Sequence, residues 1–252
     1  MDEKTRANWS EHFEREGYLV VPNALDADTL ERLRVEYEVA ARHEAEALDR
    51  AAESASPLSR RGERYYIAGR SRRRPALHEL VTSELMRQLC AALIGPNAYV
   101  FNELFVSKLP HPQSGFVWHQ DYAYLAALER DFPPNLTVWM ALDATTEVNG
   151  AIRVIPWSRG GARELIPHAL ERDWTRETVA DFGGVEDSVL LEVDAGSIIC
   201  MSGLLPHASG PNLSDEVRRA YLVQYSPQVV EVEGEALQLA TPVLVNGEAP
   251  AA

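Results

Sequence analysis

From residue 98 onward the chain breaks into short runs rich in β-branched and aromatic residues, each closed by a turn signal. The runs are Tyr99–Leu109, Phe116–His119, Leu136–Leu142, Ala151–Ile155, Val189–Val193, Ser197–Met201 and Arg218–Tyr225. Strands this short and this closely spaced must bury a face against a second sheet, which points to a sandwich or a double-sheet jelly roll. Asn149-Gly150 lies between two of the runs and predicts a hairpin turn there.

The part before residue 98 reads differently. Residues 5–16 form a polar helix with Trp9 and Phe13 one turn apart, and Gly17 suits the position after its C-cap. Tyr18–Val21 is a short strand closed by Pro22. Asp28-x-x-Glu31 resembles a capping box, and the helix behind it carries Leu30, Leu33 and Tyr37 and continues to about Ala52. Ser83 caps a further helix that ends at Gly95-Pro96. The expected fold is therefore mainly β with packed helices: a double-stranded β-helix (jelly roll, cupin-like) with the N-terminal helices on one sheet. No composition break marks a linker, so residues 1–252 read as one domain, with a mostly helical part over 1–97 and the jelly-roll core over 98–230.

Net charge is −14, from 24 Lys and Arg against 38 Asp and Glu. Such a surface repels nucleic acid and anionic membranes, so neither is an expected partner. Residues 60–74, RRGERYYIAGRSRRR, run against this trend with seven Arg and one Glu. This segment is either a solvated loop or part of a lid over 54–75 that attracts an anionic substrate, with Tyr65 and Tyr66 adding apolar contact. The charged N-terminus has no apolar stretch of signal-peptide type, and no run approaches the length of a membrane span. Cys90 and Cys200 form no CxxC pair, and the cytoplasm is the expected location.

Seven histidines are present. His12 and His43 fall in polar helical stretches, His78 lies beside a helix start, and His111 and His168 adjoin prolines in loops; all five read as structural or surface residues. His119 and Asp121 differ. They form His-x-Asp at the end of a β-rich run, where residues i and i+2 of a strand share a face. His207 lies 88 residues later, just before another strand. Two imidazoles and one carboxylate make the ligand set of non-haem Fe(II) oxygenases, which leaves positions open for a bidentate co-substrate and O2. A chelating keto acid needs a cation for its far carboxylate. Arg218, eleven residues after His207, can supply a bidentate grip, while Arg219 points to the opposite face of a regular strand.

The segment His207-Ala-Ser209-Gly-Pro-Asn212-Leu-Ser214-x-x-x-Arg218 resembles the distal signature of the phytanoyl-CoA dioxygenase family. Trp118-His119-Gln120-Asp121 resembles its proximal signature. Asn149-Gly150-Ala-Ile-x-Val-Ile-Pro156, Asp194-Ala-Gly196 and the opening Phe13-x-x-x-Gly17-Tyr-Leu-Val-Val-Pro22 fit in the same order. One departure is Pro156-Trp157-Ser158-Arg159, where the family commonly has Pro-Gly-Ser-His. The resemblance implies a double-stranded β-helix using Fe(II), 2-oxoglutarate and O2. It implies that His119, Asp121 and His207 bind iron, that Arg218 pairs with the distal carboxylate of 2-oxoglutarate, that Ser209 donates a hydrogen bond to it, and that Trp139 lines the co-substrate pocket. Lys108 and Asn102, on the strand before the His-x-Asp, also face that pocket in this reading.

The resulting expectation is a 2-oxoglutarate-dependent non-haem iron dioxygenase that hydroxylates a small molecule with release of succinate and CO2; the Arg-rich segment suggests an anionic group on that molecule. The alternative is a metal-binding jelly-roll protein without oxygenase activity, either a Zn-dependent hydrolase or a small-molecule binding protein, because His2Asp also holds Zn2+. Arg218 favours the first, since a hydrolase has no need of a keto-acid clamp beside its metal.

Overall fold

The computed structural model describes residues 2–50, 59–126, 135–168, 182, 185–232, 235–236 and 240–250. In chain order the elements are α1 (Glu3–Glu16), β1 (Tyr18–Val21), α2 (Ala27–Arg50), β2 (Arg64–Ala68), α3 (Pro75–Val81), α4 (Glu84–Leu93), β3 (Ala98–Lys108), β4 (Phe116–His119) and α5 (Tyr122–Ala126). Then come β5 (Leu136–Ala141), β6 (Ile152–Val154), β7 (Val189–Leu191), β8 (Ile198–Ser202), β9 (His207–Ser209), β10 (Arg218–Ser226), β11 (Glu231–Val232), β12 (Glu235–Ala236) and β13 (Thr241–Leu244). Short 3-10 turns cover Ser71–Arg73, Trp157–Arg159 and Val185–Asp187.

Two antiparallel sheets face each other. The larger runs β1-β8-β5-β10-β3-β13, with β2 also on β3; the smaller runs β4-β9-β6-β7. This is the jelly roll that the short strands imply. Side chains alternate along each strand, so β1, β5, β8 and β10 each serve two cores. On β5, Val138 and Met140 join Phe13, Leu33, Leu77 and Met86 beneath the helices. Trp139 and Ala141 point the other way and pack with Ile152, Val154 and Leu205 between the sheets. Burial on both faces explains why 136–142 is an unbroken apolar run rather than an alternating one.

Local chemistry sets the helix ends. Asp2 accepts from the backbone N–H of Thr5, and Gly17 closes α1 in the left-handed region. Ser83 caps α4 through the N–H of Met86. The cap of α2 is Asp26, which accepts from the N–H of Thr29, not Asp28 as the Asp-x-x-Glu pattern suggests. Residues 51 and 52, where that helix is expected to end, lie outside the described residues.

Two further expectations differ from the structure. Asn149-Gly150 does form a tight turn, with the Thr146 N–H donating to Asn149 Oδ1 and Gly150 at φ 82°. It is not a hairpin: β5 pairs with β8 and β10, whereas β6 pairs with β7 and β9, so the turn carries the chain from one sheet to the other. The second concerns the Arg-rich segment. Residues 54–58 of the expected lid lie outside the described residues, but Arg64–Ala68 is not a loop; it is a strand paired along β3. Its charges are largely engaged. Arg61 pairs with Asp49, Arg60 with Glu63 and Arg74 with Glu36, and Arg64 donates to the Gly115 carbonyl.

Candidate metal and co-substrate site

β4 and β9 are neighbours, and their register sets His119 directly opposite His207. Opposed residues share a face, and the two rings stand 4.2 Å apart between centroids. Each imidazole is oriented the same way. Nδ1 of His119 lies 2.8 Å from the Val117 carbonyl, and Nδ1 of His207 lies 3.0 Å from the Leu205 carbonyl. A carbonyl only accepts, so Nδ1 carries the proton and Nε2 presents its lone pair.

Asp121 reaches the same point by a route that strand periodicity does not describe. β4 ends at His119 with an irregularity in its pairing, and Asp121 stands in the turn before α5. Its Oδ1 lies 3.7 Å from Nε2 of both His119 and His207. The three donor atoms all fall within 4.8 Å of one another. Burial would raise the pKa of Asp121, but His207, His119 and the hydrogen bond from Thr137 outweigh it and hold the carboxyl below its ordinary value. Burial, followed by His119, pushes His207 downward. A carboxylate beside two imidazoles that turn Nε2 to the same point is the donor set that a divalent first-row metal requires.

The turn is held by Gln120 and His168, neither of which the sequence assigns to the site. Gln120 is fully buried, and its side-chain amide donates to the carbonyls of Glu164 and Leu204 and accepts from the N–H of Ile166. The backbone N–H of Gln120 donates to Nε2 of His168, whose Nδ1 faces the Ile166 carbonyl. Burial lowers the pKa of His168, which keeps it an acceptor. Its place beside Pro167 in a loop hid this role, because the partner is 48 residues away in sequence.

Across the inter-sheet space, one row of the large sheet carries Arg64, Lys108 and Arg218 in register on β2, β3 and β10. Arg218 is 2% exposed, its Nε has no hydrogen-bond partner, and no salt bridge engages it among the described residues. Its guanidinium lies 5.4 Å from the centre of the Trp139 ring, and burial lowers its pKa to about 10. Arg219 faces the other way and binds Asp143 and Glu38. The alternation expected of these two arginines is therefore present.

Lys108 directs its ammonium at Ser209 Oγ (2.6 Å), the Ser209 carbonyl and the Gly210 carbonyl. Because Ser209 Oγ accepts that proton, its own hydroxyl proton remains available to a ligand. Asn102 lies six residues from Lys108 on β3, about 20 Å along the strand. It donates to Gln224 Oε1 and belongs to the Asp121 end of the sheet, not to the Arg218 end.

The family profile for phytanoyl-CoA dioxygenase matches residues 13–220. The chain belongs to the phytanoyl-CoA dioxygenase family. A 2-aminoethylphosphonate dioxygenase from uncultured bacterium HF130_AEPn_1 is 27% identical over 143 residues, 57% of this chain and 51% of that protein. A probable alpha-ketoglutarate-dependent hypophosphite dioxygenase from Stutzerimonas stutzeri is 32% identical over 161 residues, 60% of this chain and 53% of that protein. In these matches the chain spans about half the length of its curated relatives. The crystal structure of the epimerase SnoN with Fe3+, alpha ketoglutarate and nogalamycin RO superimposes with a TM-score of 0.69 at 19% identity, covering 98% of each chain. That likeness establishes the family's jelly-roll fold here.

Proposed function

We propose that this protein is an Fe(II)- and 2-oxoglutarate-dependent dioxygenase that hydroxylates a small molecule. The observation that carries the reading is Arg218: a buried cation that no salt bridge engages among the described residues, facing the same inter-sheet space as the His119–Asp121–His207 cluster. A lone buried charge is costly, and a carboxylate supplied by a ligand removes the cost. Family membership supports the same conclusion.

In this reading His119, Asp121 and His207 hold the iron. Arg218 grips the far carboxylate of 2-oxoglutarate, Ser209 donates its free hydroxyl proton to it, and Lys108 fixes Ser209. Trp139 walls that end and shields the ion pair from water. Bound iron and 2-oxoglutarate supply the oxidising chemistry with O2, releasing succinate and CO2. The protein's own contribution is to orient both imidazoles with Nε2 toward the metal, keep Asp121 ionised, and present a dry, preformed anion site.

The substrate in this reading is small and anionic. The support is the pair of relatives named for a phosphonate and for hypophosphite. Two buried, unpaired cysteines support a reducing cytoplasm; among the described residues, no helix is long and apolar enough to cross a membrane. The test is succinate formation across a panel of phosphonates, carboxylates and acyl-CoA thioesters. Turnover must need both Fe(II) and 2-oxoglutarate. Hydrolysis that proceeds with Zn2+ and without 2-oxoglutarate would establish the hydrolase alternative instead.

A further inference from the structure

The large sheet sets Asn102, Gln224 and Thr137 in one row across β3, β10 and β5. Thr137 Oγ1 lies 2.5 Å from Asp121 Oδ2. The amide nitrogens of Gln224 and Asn135 each lie 3.3 Å from Thr137 Oγ1, and Asn102 Nδ2 lies 2.8 Å from Gln224 Oε1.

The direction of every bond in this row follows from one fact. An ionised carboxylate cannot donate, so the single hydroxyl proton of Thr137 goes to Asp121. Gln224 and Asn135 must then both donate to Thr137. Gln224 is thereby left with its carbonyl toward Asn102, and Asn102 must donate to it. The amide orientations are fixed by this logic, independent of how an amide is drawn. The row ends at Asn102 Oδ1, a buried acceptor with no donor among the described residues.

We propose that Asn102, Gln224 and Thr137 are positioning residues forming a one-way hydrogen-bond chain that fixes Asp121 as a monodentate metal ligand. Oδ2 is engaged by Thr137, and only Oδ1 faces the imidazoles at 3.7 Å. The proposal rests on the metal reading of the site and adds how the carboxylate is aimed. Partners behind a metal ligand typically contribute about 10–100-fold in metal affinity.

The experiment is anaerobic Fe(II) binding by calorimetry, without co-substrate, on the full chain, with thermal melts to confirm folding. Thr137→Val keeps the shape and removes the hydroxyl; Fe(II) binding is expected to weaken about 10–100-fold. Thr137→Ser restores the hydroxyl and is expected to bind within a few-fold of the parent. Asn102→Asp tests the direction of the chain, measured over a pH series that runs high enough to ionise the new carboxyl, whose pKa burial raises above the usual aspartate range. An extra negative charge would by itself tighten cation binding. The chain requires the opposite, because an acceptor-only oxygen turns Gln224 around and sets its carbonyl to compete for the Thr137 proton. Tighter or unchanged binding in Asn102→Asp overturns the chain, as does parent-like affinity in Thr137→Val. A parent protein that binds no Fe(II) overturns the metal reading and this proposal with it. A parent that binds while the variants match it overturns the chain alone.

Discussion

Arg218 and Arg219 are adjacent in sequence, yet one has no ion-pair partner among the described residues and the other has two. Arg219 forms two bonds to the Asp143 carboxylate at 2.7 and 2.9 Å and a third to Glu38, whereas Arg218 lies against Trp139 with its Nε unpartnered. The pleat separates them: Arg219 faces the helices and Arg218 faces the space between the sheets.

Substituting Arg218 with Met should leave the ligand-free fold equally or more stable, because it removes an unpaired buried charge. The same change should weaken 2-oxoglutarate binding by about 3–5 kcal/mol, the usual loss when one partner of a buried pair is removed. Arg219→Ala should do the reverse, costing about 1 kcal/mol of stability with little effect on 2-oxoglutarate. Urea unfolding and calorimetric titration of both variants separate the two effects. Equal losses of co-substrate affinity would refute the facing assignment.

Metal binding should be visible as stabilisation. At a hundredfold excess over Kd a ligand adds about 2.7 kcal/mol, which for a chain of this size raises Tm by roughly 5–10 °C. Fe(II) under anaerobic conditions should produce that shift, and a chelator should reverse it. His207→Ala and His119→Ala should melt near the ligand-free temperature with or without Fe(II). A full shift in either variant would show that the ion sits elsewhere.

Strand alternation, helix caps and tight turns are local and legible in the sequence, whereas pairing between distant segments is not. Strand Phe116–His119 has the same bounds in sequence and structure, and the opposite facing of Arg218 and Arg219 needed only the pleat. The convergence of His119 with Asp121 was expected for the wrong reason, since a turn and not a strand carries Asp121. β2 was hidden because its Arg-rich flanks read as solvated loop, although Arg64 lies over the Phe116 ring at 4.4 Å. β9 is only three residues, too short to show a period. The Asn-Gly turn is local and was legible, but which strands it joins depends on pairing between distant segments.

Glu103 offers a test of pH dependence. It is fully buried on β3, accepting from the hydroxyl of Tyr221 and the backbone N–H of Ser71. Burial raises its pKa, with those hydrogen bonds only partly opposing. Between its unfolded pKa, near about 4.3, and its raised folded value, the native state holds a proton that the unfolded state has lost. Stability from this group therefore falls as pH rises through that window. Glu103→Gln keeps an acceptor for Ser71 and cannot ionise. Its unfolding free energy should lack that fall and should equal or exceed the parent's at neutral pH. A slope that persists in the variant would assign it to another group.

Gly150 links the chain reversal between the sheets to the anion site. Its φ of 82° is one that other residues rarely adopt, and a Cβ there would lie 2.5 Å from the Gly210 carbonyl and 3.0 Å from Lys108 Nζ. Both atoms belong to the set that fixes Ser209, since Lys108 bonds Ser209 and Gly210 together. Gly150→Ala must therefore strain its own backbone and push the segment after β9 away from Lys108. The backbone term alone costs about 1–2 kcal/mol. If only that term acted, Tm would fall and 2-oxoglutarate affinity would be unchanged. Displacement of Gly210 adds a second effect: the Ser209 hydroxyl loses its orientation, and 2-oxoglutarate binding weakens while Fe(II) binding, which depends on His207 two residues earlier, changes less. Titrating each ligand separately into the folded variant distinguishes the cases. Weaker 2-oxoglutarate binding with retained Fe(II) binding is the expected result, and unchanged affinity for both would show that the loop yields without disturbing the site.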